Sequence, residues 1–127
     1  LHTTLGMPLS EKNLRHYFLG NMELNQLVQT TEIPKVSYIQ GYWDSWSPAA
    51  VTTEQVQKMV QECRSLNFDF VIFDMGAGTS PAYLELFKSA DEKILIANSE
   101  PTCVEKTYRY IESHICNTLK EISTPDS

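Results

Sequence analysis

The 127-residue sequence predicts an α/β fold: a parallel sheet with helices on both faces. Three observations carry this. Phe70-Val71-Ile72-Phe73 and Ile94-Leu95-Ile96-Ala97 are short, unbroken apolar runs, as expected of strands covered on both faces. Between and around them lie segments of helical period with cap signals. The resulting order β-α-β-α-β-α has short connections, which right-handed crossovers fold into layers.

Taken in order, the first forty residues read as short helical pieces. Ser10 is a candidate N-cap, with Leu9 and Leu14 as a hydrophobic staple and Leu14 and Phe18 one turn apart. Gly20-Asn21 breaks this piece, and a second runs from Glu23 to Val28. Val36-Ser37-Tyr38-Ile39-Gln40 reads as a strand ending at Gly41. An aromatic loop follows, with Tyr42, Trp43 and Trp46. Thr52 stands three residues before Gln55, a capping box, and Val56, Met59, Val60, Cys63 and Leu66 share one face of the helix it opens. After the strand 70–73, Ser80-Pro81 supplies a cap and a Pro at the first helical position, leading into Leu84, Phe87 and Ala90. After the strand 94–97, Thr102 and Glu105 suggest another capping box. Val104, Tyr108, Ile111, Ile115 and Leu119 mark the core stripe of a long last helix.

Composition narrows the function classes. Ten Lys+Arg against sixteen Asp+Glu leave a formal charge of −6, which argues against unaided nucleic-acid binding. No apolar run approaches the ~20 residues that span a bilayer, and no signal-peptide pattern opens the chain. Three Cys, odd in number and outside CxxC spacing, suit a reduced, cytoplasmic protein. One domain over residues 1–122 and a flexible tail over 123–127 are expected. The chain begins Leu1-His2-Thr3-Thr4 without a Met, as a processed product or a piece of a longer protein would.

Chemistry is expected beyond the carboxyl ends of the strands. Asp74-Met75-Gly76-Ala77-Gly78 offers a carboxylate at one strand end, beside two glycines that let the backbone approach a ligand closely. Such an Asp orients Mg²⁺ through water, accepts a phosphoryl group, or caps a turn. At the other strand end, Asn98-Ser99-Glu100-Pro101-Thr102 runs into a helix N-terminus, where free N–H groups favour an anion unless Thr102 and Glu105 satisfy them. His2, His16 and His114 share no metal-ligand spacing. Cys63 reads as a core residue, and Ser80 lacks a nucleophile elbow.

The segment Phe70-Val71-Ile72-Phe73-Asp74-Met75-Gly76-Ala77-Gly78 resembles the Walker B strand and switch II of the ParA/MinD family of deviant-Walker P-loop ATPases. It is most similar to the flagellar-number regulator branch (FlhG/FleN-like). Ile94 to Thr102 resembles that family's strand and Pro-Glu-Pro-Thr-type turn, with Ser99 where the first Pro is usual. Residues 1–6 resemble the stretch after switch I, and 36–41 a later strand. The resemblance implies a partial P-loop NTPase (Rossmann-like) fold, with Asp74 holding the Mg²⁺-bound water and 76–78 sensing the γ-phosphate. It also implies Asp74, Gly76, Gly78 and Pro101 as nucleotide-facing residues, and ATP-driven dimerisation that positions cell structures.

Several elements of that family are not found in this sequence: the phosphate loop, the central strand that carries it, the later strands with the adenine contacts and the C-terminal amphipathic membrane helix. The phosphate cradle needs a Gly-Lys-[Ser/Thr] loop, and none of the five glycines (6, 20, 41, 76, 78) precedes a Lys. The chain therefore reads as the middle of such an ATPase, and ATP binding or hydrolysis by it alone is not expected. If the central strand is absent, 70–74 exposes an unpaired edge, so a homodimer, a swapped element or a rearranged strand order is expected. Two other readings remain. One is a non-catalytic interaction module using the loop of Trp43 and Trp46. The other is a receiver-like domain phosphorylated on Asp74, for which the upstream acidic pair and downstream Lys are lacking.

Overall fold

The computed structural model describes residues 1–41, 51–76 and 78–123. Helix α1 (Leu14–Phe18) is capped by Asn13, whose side chain accepts from the Arg15 amide at 3.0 Å. Ser10 is not the cap, and Leu9 is 65% exposed, so the staple does not form. The helix ends where the sequence signals it. Gly20 takes φ +74°, its amide donates to Tyr17 O, and the Asn21 amide donates to His16 O, the paired bonds of a Schellman motif. A 3₁₀ turn (Leu24–Leu27) follows, held by a capping box between Glu23 and Gln26, and it buries Leu24 and Leu27.

Among the described residues the sheet has two strands, β1 (Gln29–Thr30) and β2 (Ser37–Tyr38), paired antiparallel with Gln29 opposite Tyr38. The strand expected over 36–40 is thus short, and its partner is a segment with no strand signal of its own. The reversal is tied by Thr31, whose hydroxyl donates to Val36 O at 2.8 Å.

Helix α2 (Thr53–Ser65) is the centre of the fold. Its capping box forms as expected: the Gln55 amide donates to Thr52 Oγ1 at 3.3 Å, and the Thr52 amide to Gln55 Oε1 at 3.0 Å. Val56, Met59, Val60 and Cys63 are buried on one face. One edge of that face joins Val51 and Ala82, with Phe73 and Leu86 against them. The other joins Leu24, with Leu14, Tyr17 and Ile39 packed around. Helix α3 (Pro81–Ser89) starts at the Ser80 cap with Pro first, also as expected.

The parallel sheet does not appear among the described residues. Residues 70–73 and 94–97 have no ladder partner there. Phe70 and Ile72 are each 88% exposed, and Ile94 and Ile96 are 84% and 86% exposed. A strand is stable only with hydrogen-bonded neighbours and cover on its apolar faces; among the described residues these runs have no such neighbour, and apart from Phe73 they are largely uncovered.

Helix α4 (Pro101–Ser123) extends over roughly 35 Å at 1.5 Å per residue. It meets α3 through Phe87, whose ring lies edge-on to Tyr110 at 5.2 Å and to His114 at 5.0 Å. The stripe Val104, Tyr108, Ile111, Ile115 and Leu119, expected in the core, is exposed. The Thr102–Glu105 box is also absent. Glu105 instead takes the Arg109 guanidinium at 2.7 Å, while the Cys103 and Val104 amides donate to Glu100 O.

Candidate functional site

Asp74 ends the apolar run 70–73, and Phe73 anchors that run by packing into the core beside Val56, Val60 and Ala82. With its neighbour pinned inward, the Asp74 carboxylate faces solvent. Its charge is nonetheless felt inside the fold. Burial first, and the Asp74 carboxylate second, push the Tyr38 phenol above its ordinary range. Asp74 is thus within electrostatic reach of Tyr38 in β2.

The glycines that follow pack on α3. A Cβ at Gly78 would stand 3.2 Å from Cδ2 and Cε2 of Tyr83, and one at Gly76 would stand 3.6 Å from its hydroxyl. Gly76 and Gly78 thus both adjoin Tyr83, in the first turn of α3. Tyr83 was not singled out from the sequence. Its signal was its place, three residues after the Ser80 cap, where its amide donates to Ser80 Oγ at 3.4 Å.

Pro101 is the first residue of α4 and is exposed. The turn before it is internally bonded, with the Glu100 amide donating to Asn98 Oδ1 at 3.0 Å and the Asn98 amide to Cys103 Sγ at 3.4 Å. Among the described residues no hydrogen bond or ion pair joins this turn to 74–80. Asp74, Gly76 and Gly78 are thus near one another by sequence, and among the described residues no hydrogen bond or ion pair links Pro101 to them. The Trp43 and Trp46 loop lies outside the described residues.

As a metal site, the constellation offers one carboxylate. No cluster of three or more His, Cys, Asp or Glu side chains suited to a metal occurs among the described residues. A single strand-end carboxylate matches the modest demand of Mg²⁺, which keeps most of its waters and takes further oxygens from phosphates. The sequence has no Gly-Lys-[Ser/Thr] phosphate cradle.

Two hollows lie elsewhere. One, of about 620 Å³, lies between Asn21, Glu23, Lys58 and Glu62; the other, of about 260 Å³, is lined by Glu85, Lys88, His114 and Asn117. Neither includes a residue of the candidate site. Cys63 is buried, and burial first, then Glu62, pushes its thiol up to about 11, which rules it out as a ready nucleophile. No described helix is long and apolar enough to cross a membrane.

No protein-family model matches the chain, and no solved structure gives a significant match. Curated relatives do. The chain is similar to the septum site-determining protein MinD of Bacillus subtilis, at 30% identity over 93 residues, which is 72% of this chain and 34% of the relative. It is similar to MinD of Escherichia coli at 27% over 92 residues, with the same shares of each chain. The chain spans about a third of the length of these relatives. The similarity is weak and local, and it reaches the ParA/MinD-type ATPases that the Asp74 and Pro101 motifs resemble.

Proposed function

We propose that this chain is a segment of a MinD-like ATPase, of the FlhG/FleN-like branch, carrying the Walker B and switch II part of its nucleotide site. The observation that carries the reading is the agreement of two signals. One is the Asp-x-Gly-Ala-Gly stretch at 74–78, with its carboxylate in solvent and its glycines laid on Tyr83. The other is the local similarity to MinD over 72% of the chain.

In this reading Asp74 holds a water of the Mg²⁺ shell, and the backbone at 76–78 responds to the terminal phosphate. Mg²⁺ bound with ATP neutralises charge on the phosphates. The absent side chains of Gly76 and Gly78 let the backbone approach Tyr83 closely. Pro101 opens the helix that flanks the nucleotide. The phosphate cradle comes from polypeptide other than this sequence, so the chain alone is inert toward ATP, and ATP-linked homodimerisation belongs to the assembled protein.

The test has two arms. Titration of this chain with Mg·ATP is expected to show no binding, and micromolar affinity overturns the reading. The coding sequence preceding Leu1 is expected to encode a Gly-Lys-[Ser/Thr] loop. In a protein that includes that loop, Asp74→Asn is expected to lower kcat by about 10²-fold or more. An unchanged kcat removes Asp74 from the site.

A further inference from the structure

The segment between Asp74 and α3 is tied at both ends to one core cluster. Ala82, just after it, is buried with Val56 and Val60 of α2, and Phe73, just before it, packs against the same cluster. Between these anchors stand Gly76 and Gly78, the residue type with the widest backbone choice. Tyr83 adjoins both. A Cβ at Gly78 would come within 3.2 Å of Cδ2 and Cε2 of its ring, closer than ordinary contact, and one at Gly76 would stand 3.6 Å from its hydroxyl. A side chain at 78 and the Tyr83 ring therefore compete for the same space.

Tyr83 is itself held in place. Its amide donates to the Ser80 cap at 3.4 Å, and its neighbours Ala82 and Leu84 are buried. Glu85, only 8% exposed, accepts from Nε2 of Gln57 on α2 at 2.7 Å. At about 100° per residue, Tyr83 and Glu85 lie on opposite sides of α3. One side of the helix is thus fastened to α2 by a buried carboxylate, while the other carries the ring that the glycines meet.

We propose that Tyr83 is a positioning residue for recognition of the nucleotide's terminal phosphate. Its ring, carried on a helix fastened to α2, limits the backbone of 76–78 to the arrangement that responds to that phosphate. The inference rests on the nucleotide reading of Asp74 and 76–78 and goes beyond it by assigning what holds that backbone. A group that must meet a ligand within about 0.5 Å needs a supporting shell, and two glycines in three residues supply none of their own. Tyr83 acts through the glycines rather than on the phosphate.

The test uses a protein that includes both this segment and a Gly-Lys-[Ser/Thr] loop, and it reads binding rather than turnover. Calorimetry compares Mg·ADP, which lacks the terminal phosphate, with Mg·ATPγS, a slowly hydrolysed analogue that carries a thiophosphate there. Tyr83→Ala is expected to weaken Mg·ATPγS by about fivefold or more, the low end of coupling between linked sites, and to leave Mg·ADP nearly unchanged. Tyr83→Phe, which keeps the ring beside Gly78, is expected to bind both as the unmodified protein does. A purely structural role would move the two nucleotides together. A fluorotyrosine placed at position 83 alone keeps the ring and the fold, so it decides if Tyr83→Ala fails to fold. Its fluorine resonance is expected to differ between the two nucleotides. Equal losses for both nucleotides, no loss with Tyr83→Ala, or one fluorine resonance in both states overturns the proposal. Asp74→Asn separates it from the reading beneath. An unchanged kcat there removes that reading and this inference together, whereas a lowered kcat without nucleotide selectivity at Tyr83 removes this inference alone.

Discussion

Gln40 grips the backbone of Ser10 at two points. The Ser10 amide donates to Gln40 Oε1 at 2.8 Å, and Gln40 Nε2 donates to the Ser10 carbonyl at 2.8 Å. The side chain is 1% exposed, and the Gln40 carbonyl also accepts from the Leu14 amide at 2.9 Å. One buried amide thus stands in for a strand neighbour and fastens the first ten residues to the end of β2. Gln40→Ala leaves two backbone groups unpaired and is expected to cost about 1–3 kcal/mol. Gln40→Glu, which keeps the acceptor but loses the donor and buries a charge, is expected to cost at least as much. Urea unfolding midpoints at neutral pH check both.

Gln55 has two tasks. It closes the capping box with Thr52, and its Nε2 donates to the Phe18 carbonyl at 3.1 Å, joining the end of α1 to the start of α2. Thr52→Ala is expected to cost about 1 kcal/mol, the usual worth of a cap. Gln55→Ala is expected to cost more, because it removes the bond to the Phe18 carbonyl as well. Equal losses in parallel denaturant titrations would show the second bond to be idle.

Cys63 sets an alkaline limit. Its thiol titrates at about 11 in the fold against 9.0 ordinarily. Above pH 9 the unfolded chain gives up this proton while the folded chain keeps it, so stability is complete below pH 9 and declines as pH rises toward 11. Tyr17, Tyr38 and Tyr110, whose phenols are raised chiefly by burial, add to the loss at still higher pH. Cys63→Ala is expected to remove the first part of the decline, as measured by Tm against pH. Thiol labelling of the native chain is expected to modify exposed Cys116 first and buried Cys63 last.

The glycine loop offers a steric test. At Gly78 an added Cβ presses the Tyr83 ring at 3.2 Å, whereas at Gly76 it meets only ordinary contact at 3.6 Å. Gly78→Ala is expected to destabilise by about 0.5–1 kcal/mol and Gly76→Ala to be nearly neutral. Adding Tyr83→Ala to Gly78→Ala is expected to abolish the difference, a coupling that a double-mutant cycle reads directly.

Local chemistry was legible in the sequence. The Thr52–Gln55 box, the Ser80-Pro81 start, the Gly20-Asn21 stop and the buried stripe of Val56, Met59, Val60 and Cys63 all depend on residues within a few positions of one another. The Asp74 motif was legible for the same reason. Periodicity also identified which residues of α4 share a face, because that is set by the backbone repeat. Whether anything covers the face is not a local property. The pairing of β2 with β1, the seat of the glycine loop on Tyr83, the grip of Gln40 on Ser10 and the outward stripe of α4 were decided only in three dimensions. An apolar run states a need for burial, and a neighbour in space has to meet it.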